Sequence, residues 1–193
     1  MSKLLSPKHS VTFDEGFRPT ITTERLVIRC FHYDDVKDLF ALLSDDHITR
    51  WFGCKKLKSL AETETFLDRA WRFIYAVTEK GGDKVIGLLQ AVPLPNARAH
   101  VGYCISSDYE GRGYMTEALT AFEDYIFSKW SWLKTLKTGV FVGNEASRRV
   151  LEKCGFHFSG FNKDVYNPYG LVDDEDLFET TVGDFEWKMK TAA

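Results

Sequence analysis

The chain has 193 residues, 44% of them hydrophobic and 15% aromatic, which suits one packed domain and not a disordered chain. Its 25 basic and 28 acidic residues leave a net charge of −3, so nothing in the charge points to nucleic acid or an anionic membrane as partner. The four cysteines (Cys30, Cys54, Cys104, Cys154) form no C-x-x-C pair, and neither a signal-peptide core nor a long apolar run occurs. They read as reduced thiols of a cytoplasmic protein, with no metal site expected.

Residues 1–20 are polar, carry Pro7 and Pro19, and read as an N-terminal arm; 21–190 read as one folded domain. A short strand is expected at 26–28, then a helix capped by Asp34 or Asp35 with the stripe Val36, Leu39, Phe40 and Leu43. Ser59 and Glu62 form a capping box for a second helix carrying Leu67, Trp71 and Ile74, whose end blurs into a strand near 73–77. A Gly-Gly turn at 79–83 leads to a buried strand at 85–92, a Pro-rich loop at 93–96 and an alternating strand at 99–106. After a helix at 114–128 come a strand at 138–142, a helix at 145–154 capped by Asn144 and ended by Gly155, and a strand through Phe156, Phe158 and Phe161. A turn at 167–170 follows, and 178–182 with Phe185, Trp187 and Met189 alternate as closing strands. Those aromatic strands fit either a homodimer face or a buried core.

The run Tyr109-Glu-Gly-Arg-Gly-Tyr-Met-Thr-Glu-Ala118 carries the most chemistry. A strand (Val101, Tyr103, Ile105) precedes it and a helical stripe (Met115, Leu119, Phe122, Ile126) follows. Unpaired N–H groups and the positive end of a helix dipole converge at such a turn, which makes it an anion site. Gly111 and Gly113 allow close backbone approach, and Arg112 can add a bidentate contact. The spacing is neither an ATP-type P-loop nor G-x-G-x-x-G, since position 116 is Thr. A phosphorylated cofactor of another kind is expected.

A second loaded segment runs Asn144-Glu-Ala-Ser147-Arg-Arg-Val-Leu-Glu-Lys153-Cys-Gly155-Phe156. With Thr23-Glu-Arg-Leu-Val-Ile-Arg29, Val101-Gly-Tyr103 and the glycine turn, the chain resembles the GNAT acyltransferase superfamily, and within it the RimJ/RimL type of N-acetyltransferase. The likeness covers about residues 20–188. It implies an α/β fold with a mixed, mostly antiparallel twisted sheet of about seven strands and about four helices, splayed at a cofactor cleft. It also implies acetyl-CoA as acyl donor, its pyrophosphate held by backbone amides of Glu110, Gly111, Arg112, Gly113, Tyr114, Met115 and Thr116. Asn144 would contact the pantetheine arm, and the N–H near Ile105 would hold the acetyl carbonyl as charge develops on it. Trp51 and Phe52, placed between the first two helices, would line the acceptor mouth or pack in the core.

Three positions depart from the family pattern: Glu110 replaces Gln, Met115 replaces a small residue, and His100 stands where a Glu is common. The Tyr that many relatives use as general acid falls at Leu151. Glu110 is expected to offer backbone contacts alone, since its carboxylate would repel a phosphate. His100 is a candidate base, the alternative being a strand histidine satisfied in the core. Ser147 is a candidate proton donor to the departing sulfur, as the matching serine serves RimL-like relatives; the alternative is close packing. Tyr166 or Asp164 could meet the incoming amine, and the acidic run at 173–176 could attract a cationic acceptor or be solvated surface. Arg148 and Arg149 read as a solvated helix face, and Lys153 as a helix C-terminal cation.

A lysine amine, with a pKa of about 10.4, is almost wholly protonated at pH 7, whereas an α-amine at about 7.7–8.0 is already partly neutral. A site without an obvious carboxylate base therefore suits α-amines. The expected function is transfer of acetyl from acetyl-CoA to a protein N-terminal α-amine. The alternatives are a small-molecule acceptor (aminoglycoside, polyamine or amino acid derivative) and a non-catalytic acetyl-CoA-binding module.

Overall fold

The structure, a computed structural model, describes residues 20–166 and 172–191. Residues 1–19 of the expected arm and the turn at 167–170 lie outside these residues, as does the side chain of Tyr166. The strands are β1 (Thr20–Thr22), β2 (Leu26–Cys30), β3 (Ile74–Glu79), β4 (Val85–Leu94), β5 (Arg98–Ile105), β6 (Thr135–Phe141), β7 (His157–Tyr166) and β8 (Val172–Thr181). The helices are α1 (Val36–Leu43), α2 (Asp46–Phe52), α3 (Leu60–Ala70), α4 (Tyr114–Lys129), α5 (Glu145–Cys154) and α6 (Val182–Thr191). The strands form one sheet in the order β1-β2-β3-β4-β5-β6-β8-β7, antiparallel throughout except between β5 and β6.

The period of two along the strands divides the core into two layers. Val101 on β5, Leu136 and Val140 on β6 and Phe178 on β8 pack beneath α4, whose buried stripe is Met115, Leu119, Phe122 and Ile126. Ile74 and Ala76 on β3 and Cys104 on β5 face the other way, against Leu39, Leu43 and Ile48 of α1 and α2 and Leu67 of α3. His100 and Gly102 share the Cys104 face by the same alternation.

Four elements differ from expectation. Asp45, whose carboxylate accepts from the His47 and Ile48 amides, starts the unforeseen helix α2, so Trp51 and Phe52 sit on a helix and not in a connection. Ser59 does accept from the Glu62 amide, but Glu62 reaches back to the Lys58 N–H instead of closing the box on Ser59. The α3 helix stops at Ala70, and Ile74 opens β3 instead of closing the helical stripe. The largest difference is at the C-terminal end, where Phe185 and Trp187 lie on α6 and not on a strand. Thr181 and Asp184 form a reciprocal cap there, the Asp184 carboxylate accepting from the Thr181 amide and hydroxyl while the Thr181 hydroxyl accepts from the Asp184 amide. Phe185 then stacks on Phe127 of α4 at 5.5 Å.

Among the described residues, no helix is long and apolar enough to cross a membrane. Phe122 is fully buried and packs 4.8 Å from the Tyr75 ring, tying α4 to the sheet. Phe122→Ala should lower unfolding free energy by about 3–5 kcal/mol, read as an earlier urea midpoint.

Candidate active site

The parallel pairing of β5 with β6 covers three registers, Arg98 with Thr135, Ala99 with Leu136 and His100 with Lys137. Past His100 the two strands part, and a cleft of about 770 Å³ opens between them. Tyr103, Ile105 and Met115 line one side, Asn144, Ser147 and Val150 the other, with Trp51 and Phe52 at the α2 end. The Ser106 amide donates across to Ile86 on β4. Successive strand amides point to opposite edges, so the Ile105 N–H turns toward the cleft.

At one end of the cleft stands the glycine turn. Gly113 is the N-cap of α4, with φ of +77° and no side-chain cap, which leaves the first-turn amides of a 16-residue helix facing the cleft. Gly111 adopts φ of +72° beside it. Arg112 is exposed and folds back, donating to the Asp108 carbonyl at 2.7 Å and lying over the Tyr109 ring at 5.3 Å. The Glu110 carboxylate lies 3.3 Å from the His47 imidazole of α2, and both residues line the cleft.

Arg25, at the foot of β2, is a residue that local reasoning passed over. Its guanidinium donates to the Arg112 carbonyl at 3.0 Å, pairs with Glu117 at 2.6 Å and covers the Tyr114 ring at 4.6 Å. Thr23 and the Arg25 amide also donate to Glu117. Burial acts to raise the Glu117 pKa, but these hydrogen bonds and the Arg25 charge outweigh it and hold the carboxyl below its ordinary value. The turn is thereby tied to the start of the sheet.

At the other wall Asn144 is the N-cap of α5, and its Oδ1 accepts from the Ser147 amide at 3.1 Å. The Ser147 hydroxyl lies 2.7 Å from the Tyr103 hydroxyl, which also reaches the Ser147 carbonyl at 3.0 Å. Burial pushes the Tyr103 phenol well above its ordinary pKa, so it is protonated at neutral pH. Leu151 faces the core, fully buried.

Other candidates separate. His100 does not line the cleft wall; it sits at the throat of the gap on the α2 face, where a Cβ on Gly102 would lie 3.6 Å from its ring and 3.4 Å from Phe52. Burial lowers its pKa, with the charge of Glu175 acting in the opposite direction. Asp164 is exposed in a bulged stretch of β7, its amide bonded to Asp174, and stands apart from the cleft lining. The acidic run lies within β8 and is divided, Asp176 pairing with Arg148 at 3.4 Å while Asp174 accepts from the Asp164 amide. Arg148 is thus bound to the sheet, whereas Arg149 and Lys153 line the cleft.

Comparison with known proteins accords with this geometry. The sequence profile of the acetyltransferase (GNAT) domain matches residues 25–157. The chain belongs to the GNAT acetyltransferase family. The uncharacterized N-acetyltransferase YoaA of Bacillus subtilis is 28% identical over 169 residues, covering 83% of this chain and 95% of the relative. The spermidine N-acetyltransferase of Vibrio cholerae, solved with CoA and spermine, superposes with a TM-score of 0.75 at 18% identity, over 84% of this chain and 99% of that one. The ribosomal-protein-S5-alanine acetyltransferase of Vibrio fischeri gives a TM-score of 0.72 at 22% identity, over 84% and 96%. This GNAT acetyltransferase has eight strands and six α-helices among its described residues, against the expected seven and four.

The depressed Glu117 pKa has a sign that can be measured. Its folded value lies below the unfolded one of about 4.5, so its contribution to stability is complete above that pH and lost as pH falls through the folded value. Glu117→Gln should therefore unfold at lower urea than the wild type at pH 7, and the two midpoints should converge toward pH 3.

Proposed function

We propose that this enzyme moves an acetyl group from acetyl-CoA to a protein N-terminal α-amine. The fit of the donor rests on the chain's own backbone: an uncapped α4 N-terminus behind two left-handed glycines, opening onto a gap between diverging strands. When bound, acetyl-CoA supplies an activated thioester. The amides of 113–116 hold its pyrophosphate, and Arg25 fixes the turn. Capping uses Oδ1 of Asn144 and leaves its amide nitrogen for the pantetheine arm. The Ile105 N–H meets the acetyl carbonyl oxygen.

The Tyr103–Ser147 pair supplies the proton for the departing sulfur. The one phenol proton can turn from the Ser147 carbonyl to the Ser147 hydroxyl, and that hydroxyl is then free to donate onward into the cleft. In this reading Tyr103 takes over the part of the family's tyrosine, whose sequence position is Leu151 here.

His100 is the observation that favours an α-amine. Held neutral at the throat of the gap, it is a weak base. Taking a proton from an α-ammonium of pKa about 8 is uphill by a small step, and from a lysine of about 10.4 by far more. A small-molecule amine is the second reading, favoured by the aromatic wall of Trp51 and Phe52. Acetylation of a panel of N-terminal peptides, polyamines and aminoglycosides, read by mass spectrometry, separates the two.

Calorimetric titration should show binding of acetyl-CoA and none of ATP or a nicotinamide dinucleotide. Gly113→Val, strained at positive φ, should abolish that binding in a protein with an unchanged circular dichroism spectrum; retained affinity would place the pyrophosphate elsewhere. Ser147→Ala should lower kcat by about 10²-fold with acetyl-CoA affinity preserved. Equal loss in both would assign Ser147 to packing.

A further inference from the structure

We propose that Glu175 is the acceptor-docking carboxylate of this enzyme: it receives the ammonium group of the incoming amine across the β5–β6 gap, beside His100, which takes the proton that the amine must lose. This rests on the acetyl transfer proposed above and names the residue that selects a cationic acceptor.

The first observation is steric. Glu175 pairs with Phe141 across the β6–β8 ladder, and its side chain leans back over Gly139. A Cβ built on Gly139 would collide with the Glu175 carboxyl group. Gly139 has no left-handed φ to account for it. Glycine inside a strand costs roughly 0.5–1 kcal/mol relative to Ala, and close approach by another group is the usual reason for it. Here the approaching group is a carboxylate, two residues beyond the last β5–β6 register at Lys137.

The second observation is electrostatic. One carboxylate oxygen accepts from the Asn162 side-chain amide at 3.1 Å, which orients the group. Among the described residues no cation pairs with Glu175. Lys137, on the same ladder, is committed to Glu179 at 2.8 Å, and Arg148 of α5 to Asp176. A half-buried carboxylate held by one neutral donor is an unfinished ion pair, and a docked ammonium completes it.

The third is placement. Strand alternation puts His100 and Glu175 on the same face of the sheet, on opposite lips of the gap, and the Glu175 charge acts on the His100 imidazole. Phe52 closes over Gly102, and the Phe141 ring comes within 3.4 Å of a Cβ on Gly53, so aromatic rings wall this corner. The acceptor then enters from the α2 face while the acyl donor occupies the cleft.

The chemistry balances. The acceptor arrives as R–NH3+ and passes one proton to the His100 imidazole, whose positive charge Glu175 stabilises. The freed nitrogen forms the C–N bond as the C–S bond breaks, and its second proton completes the departing thiol through the Ser147 side. The imidazolium returns its proton to water. Ammonium plus thioester thus gives amide, thiol and one released proton.

Glu175→Gln keeps size and the Asn162 contact but removes the charge. With spermidine and an alanine-initiated peptide as probes, its KM for the amine should rise about 10- to 100-fold while acetyl-CoA affinity by calorimetry stays unchanged. Amine binding to the coenzyme A-saturated protein should weaken in parallel. Gly139→Ala, which displaces the carboxyl group, should shift the amine KM in the same direction, and the double variant should add little. An unchanged amine KM in Glu175→Gln, with wild-type turnover intact, overturns this inference alone. Equal weakening toward acetyl-CoA and amine would make Glu175 structural and overturn it as well. A wild type that binds acetyl-CoA yet acetylates neither probe nor any other amine contradicts the acetyl-transfer reading and removes this inference with it.

Discussion

Parallel pairing of β5 and β6 ends at His100 and Lys137, and the rest of the site depends on that divergence. Two central strands that part company expose backbone N–H and C=O groups in the middle of a sheet, where they would ordinarily be satisfied by each other. Such an edge invites an extended partner, and in the proposed reading the pantetheine arm adds to it as a peptide adds to an open strand. The helices that follow β5 and β6, α4 and α5, both begin at the mouth of this wedge. One presents an uncapped helix terminus and the other a capping asparagine.

The anion site proposed at the glycine turn is compatible with a net charge of −3, because the positive potential it uses is local and comes from backbone. What the side chains do is partner the carboxylates nearby. Glu110 lies beside the His47 imidazole, and Glu117, inside the first turn of α4, is paired with Arg25 and accepts a hydrogen bond from Thr23. Arg25 joins the two ends of that arrangement, bonding both the turn carbonyl and the helix carboxylate. On the opposite face the Glu175 carboxylate has the Asn162 side-chain amide as its partner.

The parts of the site that were legible in the sequence are those encoded within a few residues. The glycine turn, the Asn144 cap and the Gly155 stop declare themselves by local spacing, and the structure places each at the end of its helix. Arg25, Tyr103 and Glu175 were not singled out, because each acts on a residue far along the chain: Arg25 on Glu117, 92 positions away, and Tyr103 on Ser147, 44 positions away. The run Thr23-Glu-Arg-Leu did mark the neighbourhood of Arg25, without saying what the guanidinium would touch. The acidic run at 173–176 hid Glu175 among neighbours that the strand's alternation sends to other partners. At the C-terminal end, Phe185 and Trp187 fit a period of two as well as a helix. The Thr181–Asp184 cap decides for the helix, and that four-residue signature was present to be read.

The most direct test of the central claim is amide hydrogen exchange of the protein with and without acetyl-CoA. Slowed exchange confined to the Ile105 amide, the glycine turn and the first turn of α4 is the result predicted for a donor lying in the gap between β5 and β6. Binding that leaves those amides unchanged, and protects a different surface, would contradict it.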